Sequence, residues 1–344
     1  MWLLYGANGT TGRILLRLRA DQGTSHDLPP LIIAGRQEGP VSALARSYDL
    51  PYRVFDLKKL GEQDCSGIKL VVNFAGPYED TQEPWLEACE TYGIAYMDIS
   101  GEWRSIGKLY EQASRFEKAG IPVIVAAGFD TIAGEASLSA YLNRYPDEKH
   151  LRVGIYAEGG FSAGTARSAF RILPHGLWAY EEGHFVRAGR PLKRRLPGGP
   201  ERIFWPATLA ELKTFPAWQN IKRLETYVAV PPRYGRWTPL LEKVTSVKPV
   251  ARLLDRMLVS QRLRLAGEMD LGASSYLFVE GATGSEERLW VETQQAYVFT
   301  ARAVLEVVRL YFEGGALPGV GSAFSRYAKQ LWERLPFRVS WWRA

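Results

Sequence analysis

The sequence predicts an α/β fold, a doubly wound parallel sheet followed by a second α+β domain. A glycine-rich turn, Gly6-Ala7-Asn8-Gly9-Thr10-Thr11-Gly12, follows directly on the apolar run at 2–5. Short apolar runs then alternate with amphipathic stretches to about residue 130, as in strands covered on both faces by helices. At 344 residues the chain exceeds the usual single core, and its texture changes after Asp130.

In chain order, strands are expected at 2–5, 31–34, 52–55, 70–74, 95–99 and 121–126, with helices at 11–20, 40–47, 81–92 and 105–119. Ile14, Leu15 and Leu18 line one face of the first helix. Gly93 and Gly120 are placed to end the last two helices, and 55–70 has room for only a turn or two. A helix over 131–142 leads to a strand at 151–157, a glycine-rich loop at 159–164 and a helical stretch from Thr165, interrupted near Pro174. Gly, Pro and Arg crowd 183–200, which reads as a hairpin or loop. Leu224, Thr226, Val228 and Val230 share one face of a strand over 221–230. An amphipathic stretch at 239–265, strands at 275–280 and 288–294, and helices at 296–312 and 322–334 complete the chain. The expected domains are 1–130 and 131–295, with C-terminal helices over 296–344 that either belong to the second domain or pack back on the first.

Hydrophobic residues at 46% and charged residues at 23% exclude a disordered chain. With 43 basic and 37 acidic residues, the net charge of +6 suits an anionic cofactor or surface but is too small to argue for nucleic acid. Cys65 and Cys89 cannot build a disulfide framework and fit a reducing compartment, with Cys89 read as a buried structural thiol. No basic leader opens the sequence and no apolar run reaches the roughly 18 residues of a spanning helix, so a soluble, cytoplasmic chain is expected. In 239–265, Leu240, Val244, Leu253 and Met257 are interleaved with Lys243, Arg252 and Arg256. Such a stretch can lie on a membrane surface, cover a pocket or form a homodimer face. Trp341 and Trp342 add an interfacial flavour. The histidines show no metal-ligand spacing, and no metal is expected.

The glycine-rich turn has the parts that a pyrophosphate needs. Gly6 permits the turn, Gly9 lets the backbone approach phosphate, and Gly12 lets helix pack on strand. Asn8, Thr10 and Thr11 complete the cofactor loop, and the following helix aims its free N–H groups at the anion. This reads as a Rossmann-like dinucleotide site. Where the second strand ends in Gly35-Arg36, an acidic residue would select NAD, whereas an arginine accommodates the 2′-phosphate of NADP. NADP(H) is therefore expected over NAD(H), against the plain alternative of a solvated loop arginine. Asp56 offers an acceptor to adenine or a cap to the next turn. Asn73, Ala75, Gly76 and Pro77 follow the fourth strand near the topological switch, where small Ala75 and Gly76 leave room for ribose and nicotinamide.

Tyr78 is a candidate proton donor or pocket wall. Asp98, Ser100, Gly101 and Glu102 end the fifth strand, and Asp130 follows the sixth as a substrate contact or helix N-cap. In the second domain, Ser162 and Thr165 are substrate-side candidates on a loop suited to an anion or carbonyl oxygen, although Thr165 also reads as an N-cap. His175, between Pro174 and Gly176, is a candidate general acid. Tyr145 and Lys149 match the Tyr-x-x-x-Lys spacing of short-chain dehydrogenases, but Pro146 and its polar neighbours read as a turn, so the match is taken as chance.

Together, the turn at 6–12, Ala34-Gly35-Arg36, Asn73-Phe74-Ala75-Gly76-Pro77-Tyr78, Tyr96-Met97-Asp98-Ile99-Ser100-Gly101-Glu102 and Gly128-Phe129-Asp130 resemble the saccharopine dehydrogenase-like oxidoreductases. Within them the resemblance is to the trans-acting enoyl reductase branch, whose Ser-Gly-Gly-Thr loop is similar to Ser162-Ala163-Gly164-Thr165. It covers nearly all of the first domain and patches of the second. The resemblance implies an NADP-type cofactor, a Rossmann domain, a second α+β domain over the nicotinamide, and hydride transfer. It names no substrate. The Trp, Phe, Leu and Tyr of the second domain suit a lipid- or polyketide-like molecule with an activated C=C or C=O bond. Two other readings stay open: a non-catalytic dinucleotide-binding regulator or scaffold, and a saccharopine-type amino-acid dehydrogenase.

Overall fold

A computed structural model describes residues 1–21, 28–158, 176–229, 270–282 and 287–343. The chain opens with β1 (Trp2–Tyr5), α1 (Thr10–Asp21), β2 (Leu31–Gly35), α2 (Glu38–Tyr48), β3 (Tyr52–Val54) and a short α3 (Glu62–Cys65). It continues through β4 (Leu70–Asn73), α4 (Tyr78–Tyr92), β5 (Ala95–Asp98), α5 (Trp103–Glu111), α6 (Ala113–Ala119), β6 (Pro122–Val125) and α7 (Phe129–Arg144). The single helix expected over 105–119 is divided at Gln112, whose φ of −101° and ψ of 9° leave the helical range. Then come β7 (His150–Ala157), β8 (Trp178–Glu181), β9 (His184–Arg187), β10 (Leu192–Arg195), β11 (Glu201–Pro206), α8 (Glu211–Thr214) and β12 (Arg223–Ala229). The described chain closes with β13 (Ser274–Gly281), β14 (Glu287–Gln294), α9 (Ala296–Gly314), β15 (Gly319–Ser322), α10 (Ala323–Arg334) and β16 (Arg338–Arg343).

Two compact units result: Met1–Ile132 with Tyr297–Leu335, and Ala133–Ala296 with Pro336–Ala344. In the first, seven parallel strands run in the order β15-β6-β5-β4-β1-β2-β3. The order reverses direction between β1 and β4, which makes their carboxyl ends the topological switch of a Rossmann-like sheet. Trp2, Leu3, Leu4, Leu70 and Val72 have no solvent exposure, because helices cover both faces of these central strands. Beneath the switch, Tyr5 stacks on Phe55 at 5.5 Å, and Trp85 meets both rings edge-on. From the C-terminal segment, α9 and α10 join this unit together with β15, a strand too short and glycine-rich to show a period in sequence.

The second unit holds a mixed sheet in the order β10-β11-β12-β7-β13-β14-β16, with the β8–β9 hairpin attached to β12. Phe204 on β11 meets Phe278 on β13 at 4.9 Å, although β12 and β7 separate their strands. The sheet therefore curls over itself, and Leu196, Phe204, Tyr227, Phe278 and Trp290 form a core on its concave face. At one end of that core lie two buried glutamates. Glu225 accepts from Arg152 Nε and Arg223 Nη2, both at 2.8 Å, and Glu280 from Arg194 Nε at 2.9 Å and Arg288 Nε at 2.7 Å. Burial alone would raise both carboxyl pKa values, but these arginines hold them below the usual range. Trp341, read in sequence as interfacial, packs in β16 against Tyr141 and Tyr145, with the Arg144 guanidinium 4.5 Å from its ring.

Gly154 pairs with Phe278 across β7 and β13, and a β-carbon there would stand 2.1 Å from Phe278 Cε1. Gly154→Ala should displace that ring from the core and cost about 1–3 kcal/mol. Thermal unfolding checks this; an unchanged midpoint contradicts the packing.

Candidate functional site

At the carboxyl end of β1, Gly6 has φ of 84°, and the Gly9 amide donates to its carbonyl at 3.0 Å. A β-carbon at Gly6 would stand 2.9 Å from the Ala75 nitrogen, and one at Gly12 would stand 2.4 Å from the Ala7 carbonyl oxygen. Gly6 thus lets the loops after β1 and β4 touch, while Gly12 seats α1 on the turn. A β-carbon at Gly9 would meet only the Gly6 carbonyl, at 3.4 Å, and Asn8, Gly9 and Thr10 are exposed. The first amides of α1, at Thr10, Thr11 and Gly12, have no carbonyl within their helix. Arg13 Nε bonds the Asn8 carbonyl at 3.0 Å and stiffens the loop. An open, positively polarised cradle is the result.

Gly35 ends β2, and Arg36 beyond it is exposed, with no hydrogen bond or ion pair among the described residues. Its charge reaches the Tyr5 hydroxyl: burial raises that pKa, Arg36 lowers it and Asp56 raises it. Arg36, Asp56 and Tyr5 therefore share one edge of the sheet. Asp56 takes the plainer of its two expected roles, capping a turn at Leu57–Lys59 by accepting from the Lys58 amide at 3.1 Å.

After β4, the Asn73 side chain is buried and both its amide hydrogens are engaged. Its Oδ1 accepts from the Ala75 amide at 3.0 Å, and its Nδ2 donates to Thr81 Oγ1 and to the Tyr96 hydroxyl, each at 3.1 Å. Asn73, expected as a cofactor contact, holds the loop through these bonds. Thr81 Oγ1 donates to the Ala75 carbonyl at 2.6 Å from α4. Gly76 stays exposed and is joined to Pro77 by a cis bond. Tyr78 is buried at the start of α4, where it walls the loop; burial, then Asp98 and Glu102, push its pKa well above the ordinary value.

Asp98 has no solvent exposure at the end of β5. Its Oδ2 accepts from Gln82 Nε2 at 2.7 Å and the Tyr96 hydroxyl at 3.0 Å, and its Oδ1 from the Ser100 amide at 3.0 Å and the Ala126 amide at 3.1 Å. Burial raises its pKa and these four donors oppose the rise. Ala126 holds φ of 55°, a left-handed conformation that costs a non-glycine residue roughly 1–2 kcal/mol. Its bond to Asp98 offsets that strain. Tyr96, Thr81 and Gln82 were not legible as site residues, although the Tyr96-x-Asp98 spacing does put both side chains on one face of β5.

Asp130 lies in the first turn of α7 and is not its N-cap: the helix starts at Phe129, whose amide bonds Thr300 Oγ1 at 2.9 Å. Its carboxyl makes no hydrogen bond among the described residues, and Oδ2 lies 3.7 Å from the position of a β-carbon on Gly101. The side chain reaches solvent, while burial of its surroundings pushes its pKa up to about 6. Ser162, Thr165, His175 and the amphipathic stretch at 239–265 lie outside the described residues. Tyr145 follows the last residue of α7 and donates to Glu287, while Lys149 bonds the Pro146 carbonyl at 3.2 Å, so the two do not share a helix face. Cys65 and Cys89 are buried free thiols with raised pKa values, Cys65 to about 11. No helix among the described residues is long and apolar enough to cross a membrane.

No protein-family model matches the chain. It is 31% identical over 150 residues to an inferred mitochondrial saccharopine dehydrogenase-like oxidoreductase of Arabidopsis thaliana, covering 40% of this chain and 33% of that protein. It is 25% identical over 189 residues to an inferred trans-acting enoyl reductase of Mycobacterium tuberculosis, covering 50% and 43%. A lipid droplet localized protein of Caenorhabditis elegans is 25% identical over 182 residues, covering 47% and 42%. The chain thus spans between a third and less than half the length of the curated relatives it matches. Among solved structures, saccharopine dehydrogenase (L-Glu forming) from Saccharomyces cerevisiae superposes with a TM-score of 0.65 over 99% of both chains, at 12% identity. The chain is a sequence relative of saccharopine dehydrogenase-like oxidoreductases and trans-acting enoyl reductases, and it has the saccharopine dehydrogenase fold.

Proposed function

We propose that this chain is an NADPH-dependent reductase of an activated C=C or C=O bond in a hydrophobic, lipid- or polyketide-like substrate. The observation that carries the cofactor choice is Arg36. It stands exposed at the end of β2, without an ion-pair partner among the described residues, on the same edge as Tyr5. A guanidinium so placed suits bidentate contact with a 2′-phosphate. The cradle fits a dinucleotide, since Gly6, Gly9 and Gly12 stand where side chains would collide with the loop or close its open side. In this reading the α1 amides and Arg13 face the pyrophosphate, and Gly76 leaves room for the nicotinamide half. A bound NADPH would supply the hydride.

Asp130 is the residue we assign to the proton, because its carboxyl is exposed beyond β6 and free of hydrogen bonds among the described residues. A pKa near 6 would keep part of it protonated close to neutrality. The named relatives support an oxidoreductase, and the aromatic composition of the second unit supports an apolar substrate. The lipid droplet relative supports contact with a lipid surface, to which the basic stretch at 239–265 would contribute. A regulator that binds the dinucleotide without turnover is the second reading, favoured by the weak acidity of Tyr78. Substrate-dependent NADPH oxidation across acyl and carbonyl compounds separates the two; its persistent absence favours the regulator.

Arg36→Ala should weaken NADPH binding about tenfold or more, as loss of a charge-assisted contact worth roughly 1.5–3 kcal/mol. NADH binding should stay nearly unchanged. Fluorescence titration of both cofactors checks this, and equal losses refute the role of Arg36. For Asp130, the folded pKa lies above the unfolded one, so the group favours folding at low pH and loses that contribution as pH rises through about 6. Asp130→Asn should therefore stabilise the protein near neutral pH by on the order of 1 kcal/mol, after discounting for solvent access. The advantage should shrink as pH falls toward about 4 in thermal melts. A pH-independent difference would contradict the assignment.

A further inference from the structure

The hydrogen bonds below the Ala75–Gly76 loop form one directed chain that ends on a buried charge. The Ala75 amide donates to Asn73 Oδ1 at 3.0 Å, Asn73 Nδ2 donates to the Tyr96 hydroxyl at 3.1 Å, and that hydroxyl donates to Asp98 Oδ2 at 3.0 Å. Every link lies in the first unit, and Asn73 and Asp98 have no solvent exposure. The same carboxylate takes the Ser100 and Ala126 amides, so one group ties together the loops that follow β4, β5 and β6. Thr81 Oγ1 fixes the other side of Ala75 through its carbonyl at 2.6 Å. Ala75 in turn abuts Gly6, whose β-carbon would stand 2.9 Å from its nitrogen. The edge that holds Arg36 and Asp56 shares none of these bonds.

We propose that Asp98 and Tyr96 are positioning residues that hold the Ala75–Gly76 loop in register for the nicotinamide half of the dinucleotide and leave the adenosine half untouched. The inference rests on the dinucleotide reading above. Fixing a loop before the ligand arrives lowers the ordering cost of binding, and only for the part of the ligand that touches that loop. The hydroxyl of Tyr96 is the one link whose removal cuts Asn73 from Asp98 while keeping the ring packed.

The test compares Tyr96→Phe with wild type by calorimetry, using NADPH and, separately, 2′,5′-ADP, which carries the adenosine half and its 2′-phosphate. The expected result is an NADPH affinity about fivefold to tenfold weaker, with 2′,5′-ADP unchanged within about twofold. Thr81→Val, which removes the bond to the Ala75 carbonyl at nearly constant volume, should give the same split and serves if Tyr96→Phe does not fold. Equal weakening of both ligands, or no weakening of NADPH, overturns the proposal. A wild-type protein that binds neither ligand instead refutes the dinucleotide reading itself.

Discussion

Asp98 keeps a carboxyl group away from water, and the carboxyl edge of the parallel sheet is arranged around satisfying it. Four donors converge on its two oxygens, from a helix, from its own strand, and from the loops that follow β5 and β6. A buried carboxylate left short of donors is costly, so each of these groups is constrained by the same requirement. The left-handed Ala126 gives Asp98 an amide, and Asn73, which also holds Ala75 against Gly6, reaches it through the Tyr96 hydroxyl.

The second unit solves the same problem with opposite means. Glu225 and Glu280 are also buried, but arginines surround them, and their pKa values fall below the usual range. Asp98 is held by neutral donors alone, and its pKa stays raised. Cations stabilise a charge strongly yet fill the space beside it. Neutral amides and hydroxyls instead transmit the constraint along the backbone, which suits a sheet edge that must leave its crevice open. Asp130 lies outside that network, and its side chain is exposed.

Much of the first unit was legible in the sequence because its signals are local. Gly6 and Gly12 mark a turn whose close backbone contacts leave no room for a side chain, and apolar runs at 2–5 and 70–74 show strands buried on both faces. For Asn73, spacing shows that a residue lies beside the switch, but not that it bonds Thr81, Tyr96 and Ala75. Asp130 read as a cap because its position fits one, whereas Thr300, distant in sequence, supplies the bond. The strands Gly319–Ser322 and Arg338–Arg343 escaped notice for the same reason: each exists through pairing with a remote strand edge, β6 and β14 respectively. The curl of the second sheet, which lets Phe204 reach Phe278, has no local signature either.

The proposed reductase depends on a phosphate-bearing dinucleotide seated at the β1–α1 turn. A crystal structure of the wild-type protein grown with NADPH tests this most directly. Pyrophosphate density is expected against the amides that open α1, with the 2′-phosphate beside the Arg36 guanidinium. NADPH bound elsewhere, or a crevice left empty at saturating concentration, would contradict it.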